Sequence, residues 1–136
     1  MTRDQAIEFI KKTGIGYLAT VDGNNSPCVR PMGIHTVYDD DIYFFTFKTT
    51  RKVAEMAGNP QVEVVWATPQ NLSQVRVKGK VMFVDDEAVQ ERFKGDNPMV
   101  AKTLPAGAEH LFCLCKIIPE KVEAAEGLVP YSEVAW

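Results

Sequence analysis

From Gln74 to Val84 two kinds of side chain take turns. Val75, Val77, Val81 and Phe83 fall on one side, and Gln74, Arg76, Lys78 and Lys80 on the other. A period of two is that of an extended strand with one face in a core and the other turned to solvent or a ligand. No other stretch constrains the fold as strongly, and the rest of the chain has to be placed around it.

Shorter runs of the same kind predict strands over 16–21, 28–37, 42–47, 62–67 and 111–118. The first three read as a meander, with turn residues at Asp22-Gly23-Asn24 and acidic punctuation at 39–41. Helices are predicted where the period changes. Thr2 to Gln5 fits a capping box ahead of Ala6, Phe9 and Ile10, and Gly14 offers a stop. Thr50 can cap a short helix through Arg51, Val53, Ala54 and Met56, ended by Gly58 and Asn59-Pro60. Asp85 can cap a third helix carrying Ala88, Val89 and Phe93; a Gly, Pro and Ala-rich passage then runs to Gly107, and the tail from Pro119 is mixed. Six strands with few helices between them predict a mainly β fold, an antiparallel barrel closed or nearly closed with helices at its ends.

At 136 residues and 46% hydrophobic, the chain has the size and the apolar content for one domain, 1–136, with one core. Its start lacks the pattern of a signal peptide and no apolar stretch approaches membrane-spanning length, so the cytoplasm is the expected compartment. A net charge of −3 argues against a nucleic-acid surface, which needs clustered, net basic charge. Local basic residues can still serve one small anion. Two histidines and three cysteines, Cys28, Cys113 and Cys115, do not have the spacing of a zinc site, and no metal is expected. Cys113-x-Cys115 lies in an apolar alternating run, which predicts buried or half-buried thiols. No nucleophile motif and no P-loop lysine is present, so covalent hydrolysis and nucleotide hydrolysis lose support.

What remains is 44–52, Phe-Phe-Thr-Phe-Lys-Thr-Thr-Arg-Lys, where a strand leaves the sheet and hydroxyls meet cations at a helix start. Those groups suit a phosphate: helix N-terminal amides, Thr46 and Thr50 hydroxyls, the forked guanidinium of Arg51 and the ammonium of Lys52 replace the water it loses. From charge alone a solvated basic turn explains the same residues equally well.

Phe45-Thr46 followed by Thr50-Arg51-Lys52 resembles the segment by which pyridoxamine-phosphate-oxidase-like flavoproteins hold the FMN phosphate. Two further matches fall in the same order. Arg30-Pro31-Met32-Gly33-Ile34-His35 is similar to the family's flavin-lining strand, with His35 where full-length oxidases have Lys. Gln74-Val75-Arg76-Val77-Lys78-Gly79-Lys80 resembles the strand whose Gln reaches the flavin of the opposite subunit. The resemblance implies a six-stranded split β-barrel, FMN as cofactor and a homodimer with two FMN sites at its interface. No nucleic-acid or membrane partner is expected.

One departure matters. Full-length oxidases continue into a C-terminal segment with Arg and Trp positions for flavin and pyridoxal phosphate, whereas no Arg follows Arg92 here. The resemblance is therefore to the short, general-stress-protein-like branch and not to a true pyridoxamine-phosphate oxidase. It implies an FMN-dependent oxidoreductase of unknown small-molecule substrate, with no acid or base assignable. The alternatives are a non-catalytic flavin-binding or buffering protein, and a haem or deazaflavin binder on the same barrel. Trp136 can cover a neighbouring flavin or pack as a terminal aromatic.

Overall fold

The computed structural model describes residues 1–136. Helix α1 (Arg3–Thr13) starts at the capping box, with Thr2 accepting from the Gln5 amide and the Gln5 side chain accepting from the Thr2 amide. It buries Ala6 and Ile10 and stops at Gly14, whose φ of 79° suits glycine. Strands β1 (Gly16–Val21), β2 (Pro27–Met32), β3 (His35–Tyr38) and β4 (Asp41–Phe47) follow, then α2 (Arg51–Gly58), β5 (Gln61–Ala67) and β6 (Gln74–Phe83). The chain continues through α3 (Glu87–Asp96), α4 (Met99–Thr103), β7 (Phe112–Ala125) and the two-residue β8 (Ser132–Glu133).

All strands belong to one antiparallel sheet of order β2-β1-β5-β6-β7-β4-β3, with β8 added on β7. The expected strand over 28–37 is two strands, and the first three do not form a meander. Residues 27–32 pair with β1, and the chain then crosses at Gly33-Ile34 to pair residues 35–38 with β4. The sheet's two ends are thus consecutive in sequence, separated by two residues that reach only about 10 Å. That tether makes the sheet curl into a barrel left open along one seam, the split barrel expected, although with eight strands in place of six.

Strand β7 is also longer than its periodicity indicated, running through Pro119 where a mixed tail was expected. Pro119 stands opposite Gly79 at a register irregularity beside Lys78, where a residue without an N–H costs the ladder little. A Cβ on Gly79 would overlap the Ile118 carbonyl oxygen, so the irregularity requires glycine. The alternation in β6 holds through Val81 and fails at Phe83, which is 38% exposed. Helix α3 is capped by Asp86, which accepts from the Val89 amide, one residue after the Asp expected.

Two apolar clusters result. The barrel interior is built from Leu18, Phe44, Val64, Trp66, Val77 and Ile117 among others. The second lies outside the sheet, where Phe93 and Val100 of α3 and α4 cover Tyr38, Phe112 and Leu114. β7 is therefore covered on both faces over 112–115. No helix is long and apolar enough to cross a membrane.

Candidate functional site

β4 delivers Phe45, Thr46 and Phe47 to the barrel's rim, and the turn behind it starts α2. Thr46 is buried, and its hydroxyl lies 3.4 Å from that of Thr50. Thr50 occupies the N-cap position, but its hydroxyl donates to the Phe47 carbonyl at 2.9 Å and accepts from no helix amide, a correction to its expected role as a side-chain cap. The amides of Arg51 and Lys52 lie in the first turn of α2, where the helix itself offers no acceptor, and neither residue's side chain has an ion-pair partner within 4 Å. Lys52 is half-buried; desolvation, reinforced by the nearby Arg30 charge, holds its ammonium below the ordinary lysine pKa.

Lys52 lies where two cavities meet. One, of about 220 Å³, is lined by the β2–β3 crossing (Pro31, Met32, Gly33, Ile34) and by Phe45 and Thr46 across from it. The other, of about 400 Å³, is lined by Cys28, Val29, Arg30 and Arg51. The structure thus brings ten of the residues singled out in the sequence, Arg30 to Ile34, Phe45, Thr46, Thr50, Arg51 and Lys52, to one cleft along the open seam.

Arg30 enters that cleft already engaged. Its guanidinium donates to Glu55 Oε1 and to the Thr20 hydroxyl, both at 2.7 Å. Burial works against the Glu55 carboxylate, yet hydrogen bonds from Thr20 and Cys28 and the Arg30 charge outweigh it and hold its pKa below the ordinary value. Glu55 and Thr20 were not legible as site residues. Glu55 follows Arg51 by one helical turn on the face of α2, but which strand that face covers depends on the sheet order.

His35 and Gln74 are not in this cleft. The His35 ring turns to the opposite side of Gly33, into a separate cavity of about 250 Å³ with Ile10, Lys11 and Gly14. Trp66 Nε1 donates to His35 Nε2 at 3.2 Å, which leaves Nδ1 to carry the proton and donate to the Gly33 carbonyl at 3.0 Å. Burial lowers its pKa, so it is a neutral hydrogen-bonding group and not a cation for the cleft. Gln74 begins β6 opposite Ala67 and Ala125, whereas Phe83 at the other end aligns through Cys115 with Phe44. In the other direction across the sheet, Arg76 two residues on aligns through Val65 and Tyr17 with Pro31, so about three strand spacings, roughly 15 Å, separate this end of β6 from the cleft, and Gln74 lines neither cavity. Trp136 packs as a terminal aromatic: its Nε1 donates to the Asp40 carbonyl at 2.8 Å and Arg3 lies over its ring.

Comparison with known proteins agrees with this fold. A family model described as pyridoxamine 5'-phosphate oxidase matches residues 2–123. A pyridoxine/pyridoxamine 5'-phosphate oxidase of Bradyrhizobium is 34% identical over 76 residues, 56% of this chain and 35% of that protein. The match thus spans about a third of that relative's length. Among solved structures, a NimC/NimA family protein from Clostridium acetobutylicum superposes with a TM-score of 0.81 at 25% identity, covering 96% of this chain and 89% of that one. General stress protein 26 from Bacillus anthracis gives 0.79 at 20% identity, with 96% of each chain covered. Two more share the fold and differ in what their names say they bind. One is an FMN binding protein from Nostoc punctiforme, with a TM-score of 0.66, 18% identity and 96% and 86% coverage. The other is a heme binding protein from Mycobacterium smegmatis, with 0.79, 14% identity and 95% and 55% coverage.

Proposed function

We propose that this chain, which belongs to the pyridoxamine 5'-phosphate oxidase family, binds FMN in the seam cleft and works as an FMN-dependent oxidoreductase in a cytoplasmic homodimer. The observation that carries the reading is the state of Arg51 and Lys52: two cations without a carboxylate within 4 Å, in the first turn of a helix, at the junction of two cavities. An arrangement of donors with no internal acceptor fits a phosphomonoester, whose oxygens would complete it. Thr46 and Thr50 add hydroxyls at the same point. The apolar wall from Pro31 to Ile34, with Phe45 opposite, suits a flat ring beyond the phosphate.

Bound FMN supplies the electron chemistry, and the protein contributes binding, orientation and field. Arg30, fixed by Glu55 and Thr20, presents its charge at a set position instead of folding over the cleft. Lys52 is held partly desolvated, so a phosphate that neutralises it also relieves the cost of its burial. A second copy is part of the proposal because the family resemblance assigns Gln74 to the flavin of the opposite subunit, and Gln74 lines neither cavity of its own cleft. Its surroundings expose Leu72, Leu128 and Tyr131, apolar side chains suited to an interface.

The test is the visible spectrum of the protein purified without added cofactor, with mass spectrometry of what heat releases and the size of the species that carries it. Flavin absorption, a mass equal to FMN and a dimer are expected. A haem Soret band, or FMN fully bound by a monomer, overturns the reading. Oxidation of reduced nicotinamide by the loaded protein separates an oxidoreductase from a flavin store.

A further inference from the structure

The cleft and the cavity that holds the His35 ring share one wall. Gly33 lines both, the first of about 220 Å³ and the second of about 250 Å³. It has no side chain, so the partition there is a single peptide thick. Two hydrogen bonds brace the crossing. His35 Nδ1 donates to the Gly33 carbonyl at 3.0 Å, and the Phe45 amide donates to the Ile34 carbonyl at 3.2 Å.

The first bond depends on where the His35 ring sits, and the ring fits its cavity only while neutral. Trp66 is fully buried, and its Nε1–H donates to His35 Nε2. A proton on Nε2 sets two donors against each other across 3.2 Å. Nothing else that faces the ring can take the charge. From α1 come Lys11, a second cation, and the carbonyl end at Gly14, which Lys11 and Lys12 of the last turn already meet. On β3 the Thr36 hydroxyl is held by Asn97 and Val37 is apolar, and β4 pairs Phe44 with His35. No carboxylate lines the cavity. The imidazolium is therefore expelled, and its departure breaks the bond to Gly33.

We propose that His35 is an acid-operated latch on the β2–β3 crossing: neutral, it holds the wall of the cleft in place; protonated, it lets go of the wall, and a bound flavin with it. The inference rests on the FMN reading for the identity of the ligand alone. Burial lowers the pKa of the ring, so the latch is closed at neutral pH and opens below pH 6.5. Linkage runs both ways, and a flavin that needs the closed wall makes His35 harder to protonate.

Riboflavin is the probe, because the FMN phosphate itself titrates near pH 6 and riboflavin has no group that does. Its affinity, followed by fluorescence quenching, should be level from pH 6.5 to 7.5 and fall by up to about tenfold for each pH unit below the folded pKa of His35. His35→Gln should lose this acid dependence, since a glutamine amide can accept from Trp66 and donate to Gly33 at any pH. His110→Gln, at the chain's other and exposed histidine, should keep it. Acid dependence that survives in His35→Gln, or disappears in His110→Gln, overturns the proposal. The unaltered chain gives two further readings. By NMR, riboflavin should lower the pKa of His35, and an equal value in free and bound protein refutes the latch. Without flavin, the protection of the Phe45 amide against hydrogen exchange, corrected for the intrinsic rate, should fall from pH 7 to 5. If no flavin binds at any pH the FMN reading fails, and this last measurement decides the latch by itself: constant protection overturns it.

Discussion

The Arg30 guanidinium of β2 and the Glu55 carboxylate of α2 meet at 2.7 Å, and this contact joins the helix that opens the cleft to the strand that lines it. The Glu55 side chain is 8% exposed and that of Arg30 21%. Removing one partner leaves the other without its ion pair in a partly closed place.

Glu55→Gln should therefore lower the thermal midpoint and change its dependence on acid. The folded pKa of Glu55 lies below the ordinary 4.5. The pair's contribution is thus complete above that value and is lost as pH falls through the lower folded value. Midpoints from pH 3 to 7 should fall less steeply below pH 4.5 in the variant than in the parent. Parallel curves would mean that the carboxylate is not held by Arg30.

Arg51→Ala and Lys52→Ala should weaken FMN by roughly one to two orders of magnitude, since a charged hydrogen bond contributes about 1.5–3 kcal/mol. Riboflavin, without the phosphate, should lose much less. Flavin fluorescence quenching at fixed low salt compares the two. Equal losses would point to damage of the fold.

Lys52→Met separates the cost of the lysine from its use. The desolvated ammonium opposes folding of the ligand-free chain. Replacing it should raise the ligand-free thermal midpoint by about 1–3 °C while weakening FMN. A lower midpoint would show that Lys52 has a partner in the free protein.

His35→Gln tests the neutral ring. The folded pKa of His35 is below its ordinary 6.5, so stability is whole above pH 6.5 and falls as acid forces a proton onto a nitrogen that accepts from Trp66. Between pH 5 and 6.5 the parent should lose stability and the glutamine variant should stay nearly flat. Nitrogen NMR should find the proton on Nδ1.

Gly79→Ala should destabilise by more than about 2 kcal/mol, because the added methyl meets the backbone of β7 and not a side chain that can turn away. Urea unfolding of parent and variant measures it.

Local pattern carried the strands and helices whose neighbours hardly matter, such as α1 with its capping box and β6 with its valines. It did not carry pairing. The run over 28–37 reads as one strand because its residue types suit a strand almost throughout, and only the sheet shows that pairing changes at Gly33-Ile34. Pro119 looked like an end because a proline removes a donor, and the irregularity that tolerates it is set by Gly79 forty residues earlier. The cleft was legible where it rests on contiguous motifs, from Arg30 to Ile34 and from Phe45 to Lys52. The partners of Arg30 were not, since Thr20 and Glu55 come from separate elements. The direction of the His35 ring was hidden for the same reason: it depends on Trp66.

The order that puts β2 and β3 at the two ends of the sheet has a bearing on how the protein behaves in a crowded solution. Unpaired strand rims invite other chains to add to them, and most open sheets carry two such rims on opposite sides of the molecule. Here both belong to consecutive strands tied by two residues, so they are turned toward one another across the seam. Pro27 and Pro31 take two donors out of the β2 rim. The groove proposed to receive a ligand and the rims most open to added strands are thus the same strip of backbone. A ligand filling that groove would also shield the rims from other chains.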